Sequence, residues 1–115
     1  QLSPDEKLTH QAIQLIESHL DDPEFNVQKL AQLLSHSQSS LYRKIKEITD
    51  KSLVEFIRDV RLRKSAQLLN EHELSITEIA YTVGFNDVKY FRKHFKKLYQ
   101  LTPSEFREKS AKKLV

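Results

Sequence analysis

The sequence predicts an all-α protein of seven helices, arranged as two similar modules joined by a long connector helix. Three observations carry this expectation. Of 115 residues, only Gly84 is glycine and only Pro4, Pro23 and Pro103 are proline, so the tight turns of a small sheet protein have few residues to make them. Leu, Lys, Glu, Gln, Arg and Ile dominate instead, and most of these favour helices. Four times, at Ser3…Glu6, Ser52…Glu55, Ser75…Glu78 and Thr102…Glu105, a hydroxyl residue stands three before a glutamate. That is the capping-box spacing: the hydroxyl accepts from the third helical N–H while the glutamate reaches back to the cap.

Each element follows in chain order. Ser3 and Glu6, with Pro4 at the first helical position where a missing N–H costs nothing, open a helix over about 4–20. Its apolar face is Leu8, Ala12, Ile13, Ile16 and Leu20, and Asp21-Asp22-Pro23 ends it. Asn26 caps a segment over 27–34, and the Ser35–Ser39 cluster caps one over 38–48. Ser52 opens 53–70, Ser75 opens 76–83, Asp87 caps 87–98, and Thr102 with Pro103 opens 103–111. The last residues, around Lys112 and Lys113, are expected to fray.

The long segment has an unusual pattern. Leu53, Phe56, Ile57 and Val60 form one stripe, but its continuation near 64 and 67 holds Lys64 and Gln67. Apolar residues resume at Leu62, Ala66 and Leu69, shifted by two positions, roughly 200° around a helix. A helix that changes its buried face halfway packs on two bodies. The chain therefore divides into a first module with its leading helix (1–51), a connector (52–70) and a second module with its C-terminal helix (71–115).

The modules repeat. Val27-x-x-Leu30-Ala31-x-x-Leu34 matches Ile76-x-x-Ile79-Ala80-x-x-Val83 at an offset of 49. Leu41-x-x-x-Ile45-Lys46 matches Phe91-x-x-x-Phe95-Lys96 at an offset of 50, as does Ser52-x-x-Glu55-Phe56 with Thr102-x-x-Glu105-Phe106. The extra residue falls in the turn after Gly84. Small Ala31 and Ala80 let a second helix cross closely. That is the helix-turn-helix arrangement, whose second helix enters the DNA major groove. Gly84 stands where a left-handed residue is favoured. Its counterpart is Ser35, so the first module is expected to turn without glycine and one residue shorter, giving two unlike readers and an asymmetric DNA site.

The stretch Ile76-Thr77-Glu78-Ile79-Ala80-x-x-Val83-Gly84-Phe85, then Tyr90-Phe91-Arg92-x-x-Phe95-Lys96-Lys97, then Thr102-Pro103-Ser104-Glu105-Phe106-Arg107 resembles the signature of AraC-type transcription regulators. Leu41-Tyr42-Arg43-Lys44-Ile45-Lys46 and Phe56-Ile57-Arg58-x-x-Arg61-Leu62 fit the same family, so the resemblance covers about residues 8–110. It implies the DNA-binding end of a larger cytoplasmic regulator, with sensor or receiver domains elsewhere in the protein, a double-stranded DNA operator and RNA polymerase as partners, and activation as the commoner role. The opening helix and the Asp21–Phe25 link most resemble the DNA-binding ends of hybrid two-component regulators. The sequence departs from the family pattern at Asp50 and Gln100, where a glycine is common, at Leu53, where proline is expected, and at Ser35-His36, where many members have a glycine. These departures bear on local turn geometry, because Asp adopts left-handed dihedrals with little strain and Gln less readily.

In a docked helix-turn-helix, residues near the start of the second helix face base edges and flanking cations meet phosphates. Leu41 and Ile45 point inward in the first module, leaving Gln38, Ser39, Tyr42 and Arg43 as exposed candidates for base contact. Phe91 and Phe95 point inward in the second, leaving Val88, Lys89, Arg92 and Lys93. Arg43 and Arg92, read as standing at equivalent places, suit guanine, because a guanidinium bridges O6 and N7. Gln38 suits adenine and Val88 a thymine methyl. Ser37, Lys44, Lys46, Lys96, Lys97 and Arg107 are the candidate phosphate contacts. The connector, about 18 residues or ~27 Å as a helix, compares with the roughly 34 Å between successive major grooves on one face of DNA. Two recognition helices on one rod would enter adjacent grooves.

Charge agrees with a polyanion partner. Residues 1–57 carry six Lys/Arg against nine Asp/Glu, and residues 58–115 carry thirteen against seven, so the chain's net +3 is a sum of −3 and +6. A solvated helical surface would explain the charge alone as well, and a surface ion pair is the bland reading of each arginine. Tyr90, Phe91, Phe95 and Tyr99 suggest base stacking at first sight, but the 91/95 spacing fits core better.

Other classes find little footing. The five histidines, at 10, 19, 36, 72 and 94, form no i, i+4 pair, and there is no cysteine, so neither a metal site nor a cofactor is expected. No serine has the glycine-flanked turn of a hydrolase nucleophile, so the chain is not expected to be an enzyme. No apolar run approaches the ~20 residues that span a membrane, no secretory signal is visible, and zero cysteines are compatible with a reducing cytoplasm. The competing class is a helical interaction module that holds an acidic partner on the basic half without binding DNA. It does not account for the repeat.

Overall fold

A computed structural model describes residues 1–71 and 73–113; His72, one of the scattered histidines, lies outside them. The helices are α1 (Pro4–Ser18), α2 (Val27–Leu33), α3 (Gln38–Thr49), α4 (Leu53–Glu71), α5 (Ile76–Thr82), α6 (Val88–Tyr99) and α7 (Pro103–Lys113). Helix is the only regular secondary structure among the described residues.

All four capping boxes form. Ser3 Oγ accepts from the Glu6 N–H at 3.2 Å while the Ser3 N–H donates to Glu6 Oε1 at 3.0 Å, and the same reciprocal pair occurs at Ser52/Glu55, Ser75/Glu78 and Thr102/Glu105. Two of the four orphan donors at each helix start are thereby satisfied. Asn26 caps α2, Ser37 caps α3 and Asp87 caps α6. α1 stops at Ser18, two residues earlier than the apolar pattern suggests. Ser18 Oγ donates to the Leu15 carbonyl and His19 Nδ1 lies 2.8 Å from the same oxygen, so side chains serve the end of the helix in place of a further turn. Leu20 is therefore beyond α1, partly buried. α7 continues to Lys113.

The chain forms two compact units, Gln1–Val60 and Arg61 onward. The division falls inside α4, between the two apolar stripes. In the first unit, Leu53, Phe56, Ile57 and Val60 join Ala12, Ile16, Phe25, Leu30, Ala31, Leu41 and Ile45 in one core. In the second, Leu62, Ala66 and Leu69 are buried, as are Ile79, Ala80, Val83, Phe85, Phe91 and Phe95. At about 25 cal/mol per Å² of apolar surface, burying such aliphatic and aromatic side chains dominates the stability of either unit. Phe91 and Phe95 are fully buried, and Phe95 meets Phe106 edge-on with ring centroids 5.4 Å apart. Phe91 and Phe95 are core, as their spacing suggested, whereas Tyr90 is exposed and Tyr99 partly buried.

Candidate nucleic-acid interface

Each unit builds the same helix-turn-helix from the same backbone bonds. α2 packs on α3, and α5 on α6. After α2, the Ser35 N–H donates to the Gln32 carbonyl at 3.1 Å and the His36 N–H to the Ala31 carbonyl at 2.9 Å. After α5, the Gly84 N–H donates to Tyr81 at 3.1 Å and the Phe85 N–H to Ala80 at 2.9 Å. Gly84 takes φ 95° and Ser35 takes φ 59°, so the serine adopts the left-handed conformation that the glycine supplies without penalty. The bond pattern at the turn is thus shared. The extra residue of the second module comes later, where Phe85 and Asn86 stand before the Asp87 cap and only His36 stands before the Ser37 cap. Asp50 (φ 60°) and Gln100 (φ 63°) end α3 and α6 in the same left-handed way, each donating its N–H back to Lys46 or Lys96. The departures from glycine left the turn geometry intact.

The register of the recognition helices corrects one expectation. Caps Ser37 and Asp87, and the buried pairs Leu41/Ile45 and Phe91/Phe95, align at an offset of 50. Arg43 therefore corresponds to Lys93, and Arg92 to Tyr42; the two arginines do not occupy equivalent places. The offset of 49, which holds for α2 and α5, does not extend past the inserted residue.

In the first module Gln38, Ser39, Tyr42 and Arg43 are all exposed. Gln38, Ser39 and Tyr42 line a shallow groove with Val27, Leu53 and Val54. Ser37 Oγ accepts from the Ser40 N–H at 3.1 Å and lies 3.4 Å from Ser39 Oγ, a contact in which either hydroxyl can donate. Lys44 lies on the flank toward α1, its Nζ 3.5 Å from Asp5 and 4.0 Å from Glu47. Lys46 Nζ is 3.7 Å from Asp50 Oδ1 and donates to the Asp50 carbonyl at 3.2 Å.

In the second module Lys89, Arg92, Lys93, Lys96 and Lys97 are exposed, whereas Val88, expected to be exposed, is partly buried. No acidic residue lies within α6 itself. Arg107 stands apart from this surface. It is half-buried on α7, its Nε donates to the Leu69 carbonyl at 3.3 Å in the last turn of α4, and it lines a hollow with Leu69, Asn70, Glu71, Glu73, Ser110 and Ala111. Sequence reasoning missed the buried Arg61, whose Nη1 donates to the Val83 carbonyl at 2.6 Å. No spacing signals it, because a cation in a buried stripe reads as an outward residue.

A family model described as a helix-turn-helix domain matches residues 30–109, which takes in both turns and both recognition helices. The chain belongs to the AraC-type helix-turn-helix family. It is 37% identical over 107 residues to Histidine kinase P4 of Formosa agariphila, covering 93% of this chain and 8% of that protein. It is 32% identical over 111 residues to the HTH-type transcriptional regulator MtrA of Neisseria gonorrhoeae, covering 95% of this chain and 36% of that protein. Among solved structures, the C-terminal domain of AraT, a response regulator from Geobacillus stearothermophilus, superposes with a TM-score of 0.79 at 32% identity, covering 95% of this chain and 88% of that one. The chain thus spans well under half the length of these two curated relatives. As an AraC-type domain it is a sequence-specific DNA-binding domain of a transcription regulator, and not an enzyme.

Proposed function

We propose that this domain reads one asymmetric duplex with both recognition helices, α3 and α6 entering adjacent major grooves. The observation that carries the reading is the duplicated layout: two capped recognition helices, each with a fully buried inward pair and polar side chains outward from its first turns. An unbroken α4, which contributes buried side chains to both units, serves as the connector. Gln38, Ser39, Tyr42 and Arg43 contact bases from α3, and Val88, Lys89, Arg92 and Lys93 from α6. Arg43 and Arg92 each bridge a guanine, Gln38 pairs with adenine, and the part of Val88 left open meets a thymine methyl. Ser37, Lys46, Lys96 and Lys97 hold phosphates, and Lys44 joins them on exchanging Asp5 for a phosphate oxygen. We assign Arg107 to holding α7 against the end of α4 rather than to phosphate.

The chain acts as the output end of a longer cytoplasmic regulator, with sensor or receiver domains elsewhere and RNA polymerase as the partner in activation. Likeness to a histidine kinase and to a response regulator favours two-component control. Selection from a random duplex library, followed by gel shifts at two salt concentrations, tests the reading. An enriched motif and a shift that weakens with salt are expected. Absence of any shift would favour the adaptor that holds an acidic protein.

A further inference from the structure

With the register established, the outward faces of the two recognition helices compare position by position. Ser39, Tyr42, Arg43, Lys46, Glu47 and Asp50 correspond to Lys89, Arg92, Lys93, Lys96, Lys97 and Gln100, and every one of them is exposed. The first set sums to zero charge and the second to +5. Internal pairing runs the same way. Lys46 already faces Asp50, and Lys44 faces Asp5 and Glu47. Among the described residues, no carboxylate lies within 4.0 Å of any of the five α6 cations. The whole units follow suit: residues 1–60 carry a formal charge of −3 and residues from 61 onward +6.

Like charges three and four apart on a helix repel and lower its stability. A helix that keeps five of them with no carboxylate in ion-pair contact, Glu105 acting on Lys96 only from longer range, is built to be relieved from outside, by a polyanion. Each phosphate contact made by such a cation releases condensed counterions and adds about 0.9 to the steepness of the salt dependence. A cation that already holds a carboxylate gives up that partner on binding, so its net contribution is small.

Resting on the DNA-binding reading above, we propose that the two modules hold the duplex by different physics. α6 is the electrostatic anchor and supplies nearly all of the salt-dependent, sequence-independent affinity. α3 is a low-charge reader that contributes discrimination with little salt dependence. Glu47, standing where the second module has Lys97, weakens the hold of the C-terminal half of α3 on the backbone, where Lys44 and Lys46 reach phosphates only by leaving carboxylate partners.

The test measures affinity of the 115-residue chain for a selected and a scrambled duplex across a salt series, with circular dichroism checking that each exposed-site variant stays helical. Lys96→Gln with Lys97→Gln should reduce the slope of log affinity against log salt by about two, at ~0.9 per lost contact. Lys44→Gln with Lys46→Gln should change it by less than half as much. Glu47→Lys should steepen the slope by about 0.9 and tighten both duplexes by the same factor. Equal slope losses from the two double variants, or an unchanged slope in Glu47→Lys, would overturn the division of labour. Failure of the wild-type chain to bind any duplex would instead overturn the DNA-binding reading itself.

Discussion

Arg61 Nη1 donates to the carbonyl oxygen of Val83 across 2.6 Å, and both residues are buried. Val83 is the C-cap of α5, so its carbonyl belongs to the group that a helix end leaves without an intrahelical partner. Arg61 comes from α4 and is the first residue of the second unit. One guanidinium therefore fixes the start of the second helix-turn-helix turn, directly before Gly84, to the connector.

Arg61→Leu keeps the apolar stem and removes the donor, leaving a buried carbonyl unsatisfied. The expected cost is about 1–3 kcal/mol, read as a lower urea midpoint, with weaker DNA binding because the turn that aims α6 loosens. Arg61→Lys should recover only part of the loss, since an ammonium does not reproduce the planar fork. Full stability in Arg61→Leu would remove Arg61 from this role.

Gln100 ends α6 at φ 63°, ψ 17°, a conformation in which a residue with a Cβ is strained by roughly 1–2 kcal/mol. Its Nε2 donates to the Lys97 carbonyl at 3.0 Å, and a glycine gains unfolded-state entropy. Gln100→Gly should therefore stabilise the chain by a net ~0.5–1 kcal/mol, less than the full strain. Thermal or urea unfolding checks the sign, and a destabilised variant would show that the side-chain bond outweighs the strain.

The carboxyls of Glu6, Glu55, Glu78 and Glu105 are held below the ordinary glutamate value, first by the cap residue's backbone N–H and then by its hydroxyl. A lowered folded pKa means that the native state prefers the carboxylate. The stabilisation is complete above the ordinary glutamate pKa and disappears as pH falls through the lowered folded value. Replacing all four by Gln should flatten the acid limb of the stability curve while reducing stability at neutral pH. An acid limb unchanged by the four substitutions would contradict this.

The helix pattern was readable from the residues because its signals are local. Ser75…Glu78 fixes a helix start without reference to anything distant, and the shift from Val60 to Leu62 marks the place where the chain changes cores. What escaped was long-range or conformational. Arg61 meets a carbonyl 22 residues away and Arg107 one 38 residues away, and neither spacing leaves a trace in a periodic pattern. The left-handed turns at Ser35 and Gln100 are imposed by helices on either side, against the residues' own preference. Arg43 and Arg92, read as equivalent, stand 49 apart, whereas the recognition helices are in register at 50, the offset that the 41/91 and 45/95 matches already carry. Of the site, the exposed faces followed from the buried 41/45 and 91/95 pairs, but the pairing of Lys44 with Asp5 needed α1 in place.

The most direct measurement compares affinity for a selected duplex and its scrambled counterpart at physiological salt, for wild type, Arg43→Ala, Arg92→Ala and Lys97→Ala. Direct readout by α3 and α6 predicts a preference of at least ~10³ for the selected duplex in wild type. Each arginine variant should lose about 1–3 kcal/mol and relax one base pair, at different places in the two half-sites because the arginines differ in register. Lys97→Ala should weaken both duplexes alike. Equal wild-type affinity for the two duplexes would contradict the account.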